Sequence, residues 1–135
     1  MIVSCCYLFF FRKGFKMISD EIVQLTEKLL AYNGLFMKYF QEGRETGVKP
    51  DFHEVIKPFA NEVKEITEQW NRAMKKWLSE TNHKHLHLKQ IETTSDHINQ
   101  LSIQSFFPET SKTRFLNTNR TVDYFLLEIL KEVKK

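Results

Sequence analysis

From Ser19 onward apolar residues recur at alternating steps of three and four. In the first run they are Ile22, Leu25, Leu29, Tyr32, Phe36 and Tyr39, the stripe of a helix that buries one face. Ser19 is a good N-cap, and Asp20 and Glu21 complement the dipole of a first turn. The helix is therefore expected to open there and to end at Gly43, with residues 44–50 as a loop. Asn33-Gly34 weakens its middle by about 1 kcal/mol, which the stripe absorbs. A second stripe holds Phe52, Ile56, Phe59, Val63, Ile66, Trp70, Ala73 and Trp77. Asp51 and Glu54 open it as an Asp-x-x-Glu variant of the capping box. Pro58 lacks an amide hydrogen and must kink or break the first two turns, so the regular helix counts from Phe59.

Residues 83–87 read as a connection, and a third helix is expected over Leu88 to Phe106, with Pro108 marking the turn beyond it. Its seam is of another kind: Ile91, Ile98 and Leu101 alternate with Thr94, Ser95, Ser102 and Ser105. The fourth helix starts near Lys112, capped by Ser111 or Thr110. Its stripe is Phe115, Val122, Phe125, Leu126, Ile129 and Val133, and Lys134 and Lys135 suit its C-terminus. Four amphipathic helices joined by short loops must pack as antiparallel neighbours. The fold expected is all-α, an up-down-up-down four-helix bundle over residues 17–135, its second helix broken near Pro58.

Composition supports this and removes one function class. The chain has 135 residues, 41% hydrophobic and 27% charged, the balance of one ordinary globular domain. Four Gly and three Pro leave little room for the turns of an all-β fold. The net charge of +3 suggests nucleic acid only until it is located. Of the 20 Lys and Arg, Arg12, Lys13 and Lys16 lie in the first sixteen residues, which carry no acid; the remaining 17 balance 17 Asp and Glu. The bundle has no excess cation to replace counterions on a phosphate backbone, so no nucleic-acid partner is expected.

Residues 1–16 differ from the rest. Their apolar run, Ile2 to Phe11, would span about half of a bilayer as a helix. The charges follow that run instead of preceding it, which is not the order of a secretory signal. The segment is read as an N-terminal extension, either a start upstream of the native Met17 or a disordered tail. The one membrane role weighed is interfacial contact through residues 2–16. Cys5 and Cys6 are the only cysteines; no disulfide framework can form, which fits a cytoplasmic setting.

The segments Tyr39-Phe-Gln-Glu-Gly43, Asp51-Phe-His-Glu-Val-Ile-Lys-Pro58, Gln69-Trp70, Gln104-Ser105 and Lys112-Thr-Arg-Phe115 occur in this order. With them the chain resembles, from Met17 to its end, the YppE-like family of Bacillus and related bacteria, a domain of unknown function. The resemblance implies a small cytoplasmic helical bundle and brings no catalytic residues.

No motif commits the chain to a chemistry. There is no Gly-rich phosphate loop and no Gly-x-Ser-x-Gly, and Glu-x-x-His occurs once, at Glu80–His83, not on two helices as di-iron bundles require. His53 and His97 are isolated in sequence. His83, His85 and His87 alternate and in an extended loop would lie on one side about 6.6 Å apart, within reach of Zn²⁺ or Ni²⁺; a solvated polar loop is the preferred reading, and no metal or cofactor is assigned. Large Tyr32, Phe36, Tyr39, Trp70 and Trp77 facing the small seam of helix three read as an interlocking core. The alternative is an aromatic, hydroxyl-lined pocket between helices for a small molecule, as binder or enzyme. The preferred function is a non-enzymatic protein-interaction module. Its candidate surface is Gln41, Glu42, Asp51, Phe52 and Lys57, where the family-like segments cluster; the partner's identity and the oligomeric state are not encoded in any motif.

Overall fold

The four stripes become four helices because each buries its apolar face against the others. The computed structural model describes residues 2–81, 83, 85–107 and 109–134, with the backbone alone from 2 to 18. Its helices are α1 (Ile2–Thr46), α2 (Lys57–Glu80), α3 (Leu88–Gln104) and α4 (Lys112–Val133), and a π-helical turn, Phe52–Ile56, leads into α2. Lys84 within the expected 83–87 connection, Pro108 and Lys135 lie outside the described residues, as does Asn82.

Side-chain pairs establish the directions. From one end of α1 to the other, Tyr39 meets Phe59, Tyr32 meets Glu62 and Thr26 meets Trp70, so α2 runs antiparallel to α1. Phe40 with Phe115, Asn33 with Asn119 and Glu27 with Lys134 set α4 antiparallel to α1. Asn71 with Ser95 and Lys75 with Glu92 do the same for α2 and α3. The result is the up-down-up-down bundle, closed by α3 against α4.

One core joins all four helices. Ile22, Leu29 and Phe36 of α1, Val63, Trp70 and Met74 of α2, Ile91 and Ile98 of α3, and Phe115, Leu126 and Ile129 of α4 are all fully buried in it. The small residues of α3 are buried as expected. Their hydroxyls bond back along the helix, Ser95 to the Ile91 carbonyl at 2.9 Å and Ser102 to the Asn99 carbonyl at 2.6 Å. Trp70 Nε1 donates to Thr26 Oγ1 at 3.1 Å, so the largest buried ring leaves no unpaired donor.

Several helix ends fall elsewhere than the stripes suggest. α1 does not open at Ser19 but is continuous from Ile2; no proline interrupts residues 2–18, and Gly14 costs a helix only about 1 kcal/mol. Nor does it stop at Gly43. Gly47 has φ +68° and its N–H bonds the Gly43 carbonyl at 2.8 Å, an αL cap that only glycine takes without strain. At Pro58 the backbone widens. Ile56 N–H reaches the Asp51 carbonyl and Lys57 N–H the Phe52 carbonyl, five residues apart. The wider turn relieves the proline ring's clash with the carbonyl four residues earlier, and Pro58 then sits in the first turn of α2, where its missing N–H costs nothing. α3 ends at Gln104, two residues before the expected Phe106.

Candidate functional site

The connection from α1 to α2 and the turn from α3 to α4 lie at the same end of the bundle, because neighbouring helices are antiparallel. The five candidate surface residues therefore gather there, though with different duties. Asp51 is spent on structure: its Oδ1 accepts the Glu54 N–H at 2.9 Å as N-cap of the π-helical turn. Lys57 is exposed at the first position of α2. Gln41 is exposed on α1, and Glu42 enters the wall of a groove of about 390 Å³ with Tyr39, Thr46, Val48, Pro50 and Phe106. Phe52, on the expected apolar stripe, is 49% exposed, because the π-helical turn rotates it away from the core and leaves Ile56 inside.

Val48 and Val55 complete this surface at 68% and 43% exposure. The sequence signal for Val48 is an apolar residue in a loop, outside every stripe. Tyr39 shows a shift of phase: Phe40 is the core residue, 2% exposed and stacked on Phe115 at 4.0 Å, while Tyr39 is half-buried between Phe59 and Phe106. The rim is pinned by charges that already have partners. Lys49 Nζ lies 2.6 Å from Glu109 Oε1, holding that carboxyl below the usual carboxylate range, and also sits over the Phe107 ring. Arg44 lies over Phe40 and donates to the Thr110 carbonyl at 3.5 Å.

The three alternating histidines at the opposite end are drawn apart. His83 stacks on Trp77 at 4.2 Å with Nδ1 3.9 Å from Glu132 Oε2, and His85 is exposed. His87 is the N-cap residue of α3, its N–H bound by Gln90 Oε1 at 2.8 Å. Among the described residues no group of three His, Cys, Asp or Glu is placed to hold a metal ion.

Two polar features were not read from the sequence. Asn33 and Asn119 occupy core positions of α1 and α4, 1% and 7% exposed. Asn33 Nδ2 donates to the Asn119 carbonyl and to Asp123 Oδ1, both at 2.9 Å. Asn119 Nδ2 donates to Asn33 O at 3.0 Å and to Asn33 Oδ1 at 2.9 Å. Asn119 fills the gap that the fourth stripe leaves between Phe115 and Val122, whereas Asn33 is masked by its neighbour Tyr32, which the first stripe places inside. The second is a groove of about 690 Å³ between α3 and α4. One wall carries His87, Lys89, Gln90, Thr93, Thr94 and His97, and the other Thr121, Tyr124 and Phe125.

The sequence profile of a bacterial domain of unknown function, DUF1798, matches residues 26–133. The chain is 27% identical over 119 residues to the uncharacterized protein YppE of Bacillus subtilis, covering 88% of this chain and 97% of that one. The crystal structure of YppE superposes with a TM-score of 0.82 over 86% of this chain and 94% of that one. A protein of unknown function from Listeria innocua, 21% identical, gives 0.83 over 87% and 94%. A DUF1798 domain from Staphylococcus aureus, also 21% identical, gives 0.76 over 83% and 95%. No helix among the described residues is long and apolar enough to cross a membrane.

Proposed function

The chain belongs to the DUF1798 family, and we propose that it serves as a non-enzymatic protein-interaction module of the cytoplasm, docking its partner on the end built by the α1–α2 connection. The observation that carries this reading is that one end of the bundle exposes Val48, in the groove wall, together with Phe52 and Val55 of the π-helical turn. Exposed apolar residues that gather in one place, rimmed by charges, are the usual mark of a contact surface. Among the described residues Glu42 is the one charged residue in the groove wall, which favours a partner whose apolar anchor is flanked by Lys or Arg. The cytoplasmic setting is supported by the absence of any cysteine after Cys6. The non-enzymatic reading is supported by the lack of a contiguous nucleotide, nucleophile or di-iron motif.

The test compares crosslinked partners captured from the native host by the wild-type protein, by Phe52→Asp and by Tyr124→Asp on another face. Both substitutions are at exposed positions and should leave the melting temperature within a few degrees of wild type. A partner lost with Phe52→Asp and kept with Tyr124→Asp supports docking at this end. An identical set from all three proteins overturns it.

The second reading, a small-molecule binder, is favoured by the α3–α4 groove. Its volume lies in the range of ligand sites, and hydroxyls and aromatic rings line it.

A further inference from the structure

We propose that the groove between α3 and α4 binds an amphipathic carboxylic acid, with its apolar body along Phe125 and Tyr124 and its anionic head at the His87–Lys89 end. This rests on the small-molecule reading and specifies the ligand.

Shape comes first. Where the seam needs large side chains to close, it offers Thr93, Thr94 and Thr121, so α3 and α4 leave about 690 Å³ between them. From His87 to His97 the wall on α3 is about 15 Å long at 1.5 Å per residue, room for a medium-length acyl chain or a pair of fused rings. Tyr124 stands at the mouth 68% exposed, with Leu127 on the next turn at 54%. An apolar guest would cover ring surface that now faces water.

Charge then selects among apolar guests. The acids of these two helices lie outside the groove walls, Glu132 beside His83 at 3.9 Å. Glu92 pairs with Lys75 of α2 at 3.6 Å, and Asp96 lines a separate groove with Asn71 and Arg72 of α2. Asp123 accepts from Asn33 of α1. Glu128, one turn beyond Tyr124, is outside the walls. What remains in the groove is the Lys89 ammonium, which has no carboxylate partner among the described residues, and the imidazoles of His87 and His97. Gln90 has its carbonyl oxygen engaged by the His87 N–H, which leaves its NH₂ to donate. A wall with a cation and, among the described residues, no carboxylate is complementary to one anionic head and lacks the counter-charge that an ammonium would need.

Amide spectra (¹H–¹⁵N) of the full chain titrated with decanoate, below its micellar concentration, and with decanol as its neutral twin test this directly. The expected result is saturable shifts at residues 87–97 and 121–125, with decanoate at least tenfold tighter than decanol. Lys89→Glu should erase that preference, and Thr93→Trp, at an exposed position on the wall, should abolish both titrations while the remaining spectrum stays folded. Equal affinity for decanoate and decanol overturns the anion selection and leaves the groove a binding site. No shifts from either probe, or shifts confined to the opposite end of the bundle, overturn both.

Discussion

Asn33 and Asn119 cannot be exchanged one at a time. Each amide meets the other's side chain or carbonyl inside the α1–α4 seam, so removing one leaves a buried polar group without its partner. Asn119→Leu should therefore cost about 1–3 kcal/mol, whereas the double change to leucine should be close to neutral. Urea unfolding of the two single variants and the double gives the coupling, and additive losses would show that the pair is not a unit. Tyr32 supplies a pH signature. Partial burial, then the hydrogen bond to Glu62 and that carboxylate's charge, push its hydroxyl from 10.0 up to about 12. The folded state thus holds a proton that the unfolded chain releases first. The resulting stability is fully present below pH 10 and is lost as the pH rises toward 12. Tyr32→Phe should flatten the fall in melting temperature between those limits relative to wild type; parallel curves would remove Tyr32 as the cause. Neither feature is legible in periodicity alone, because a stripe marks which positions are buried and not which buried atoms find partners.

At the scale of helices, the stripes placed most of the apolar core, though not Phe40 or Met74, and misjudged several of the ends. A core face is set by many residues at once, whereas an end depends on which of two glycines takes a positive φ, or on how far a proline widens one turn. Gly34 and Gly47 separate these effects. Neither would bring a new Cβ within 4 Å of another atom, so alanine acts at both through the backbone alone. Gly34 is exposed inside α1, where alanine should stabilise by about 0.5–1 kcal/mol. Gly47 has φ +68°, where alanine should destabilise by about 1–2 kcal/mol. Urea midpoints moving in opposite directions for the same substitution would establish Gly47 as the cap; a gain at both would return the helix end to Gly43. The same local geometry explains the candidate surface. Asp51 and Phe52 were legible as cap and apolar residue, but the exposure of Phe52 follows from the π-helical turn, and Val48 belongs to no periodic pattern.

Across the whole molecule the antiparallel ring makes each helix depend on two neighbours, and one core cluster draws side chains from all four. The α3–α4 seam opens into the 690 Å³ groove, yet α4 is also held to α1 by Phe40 stacked on Phe115 and by the Asn33–Asn119 pair. The groove therefore lies between two elements that are each secured elsewhere. It can stay open without making α4 a separately unfolding unit. Amide exchange should accordingly report one global free energy at Leu29, Met74, Ile98 and Leu126, buried positions on the four helices. That value should match the stability from tryptophan fluorescence in urea, since Trp70 and Trp77 both report from α2. Exchange at Leu126 through a much smaller opening energy than at Met74 would show instead that α4 detaches first. The groove would then be a hinge and not a preformed site.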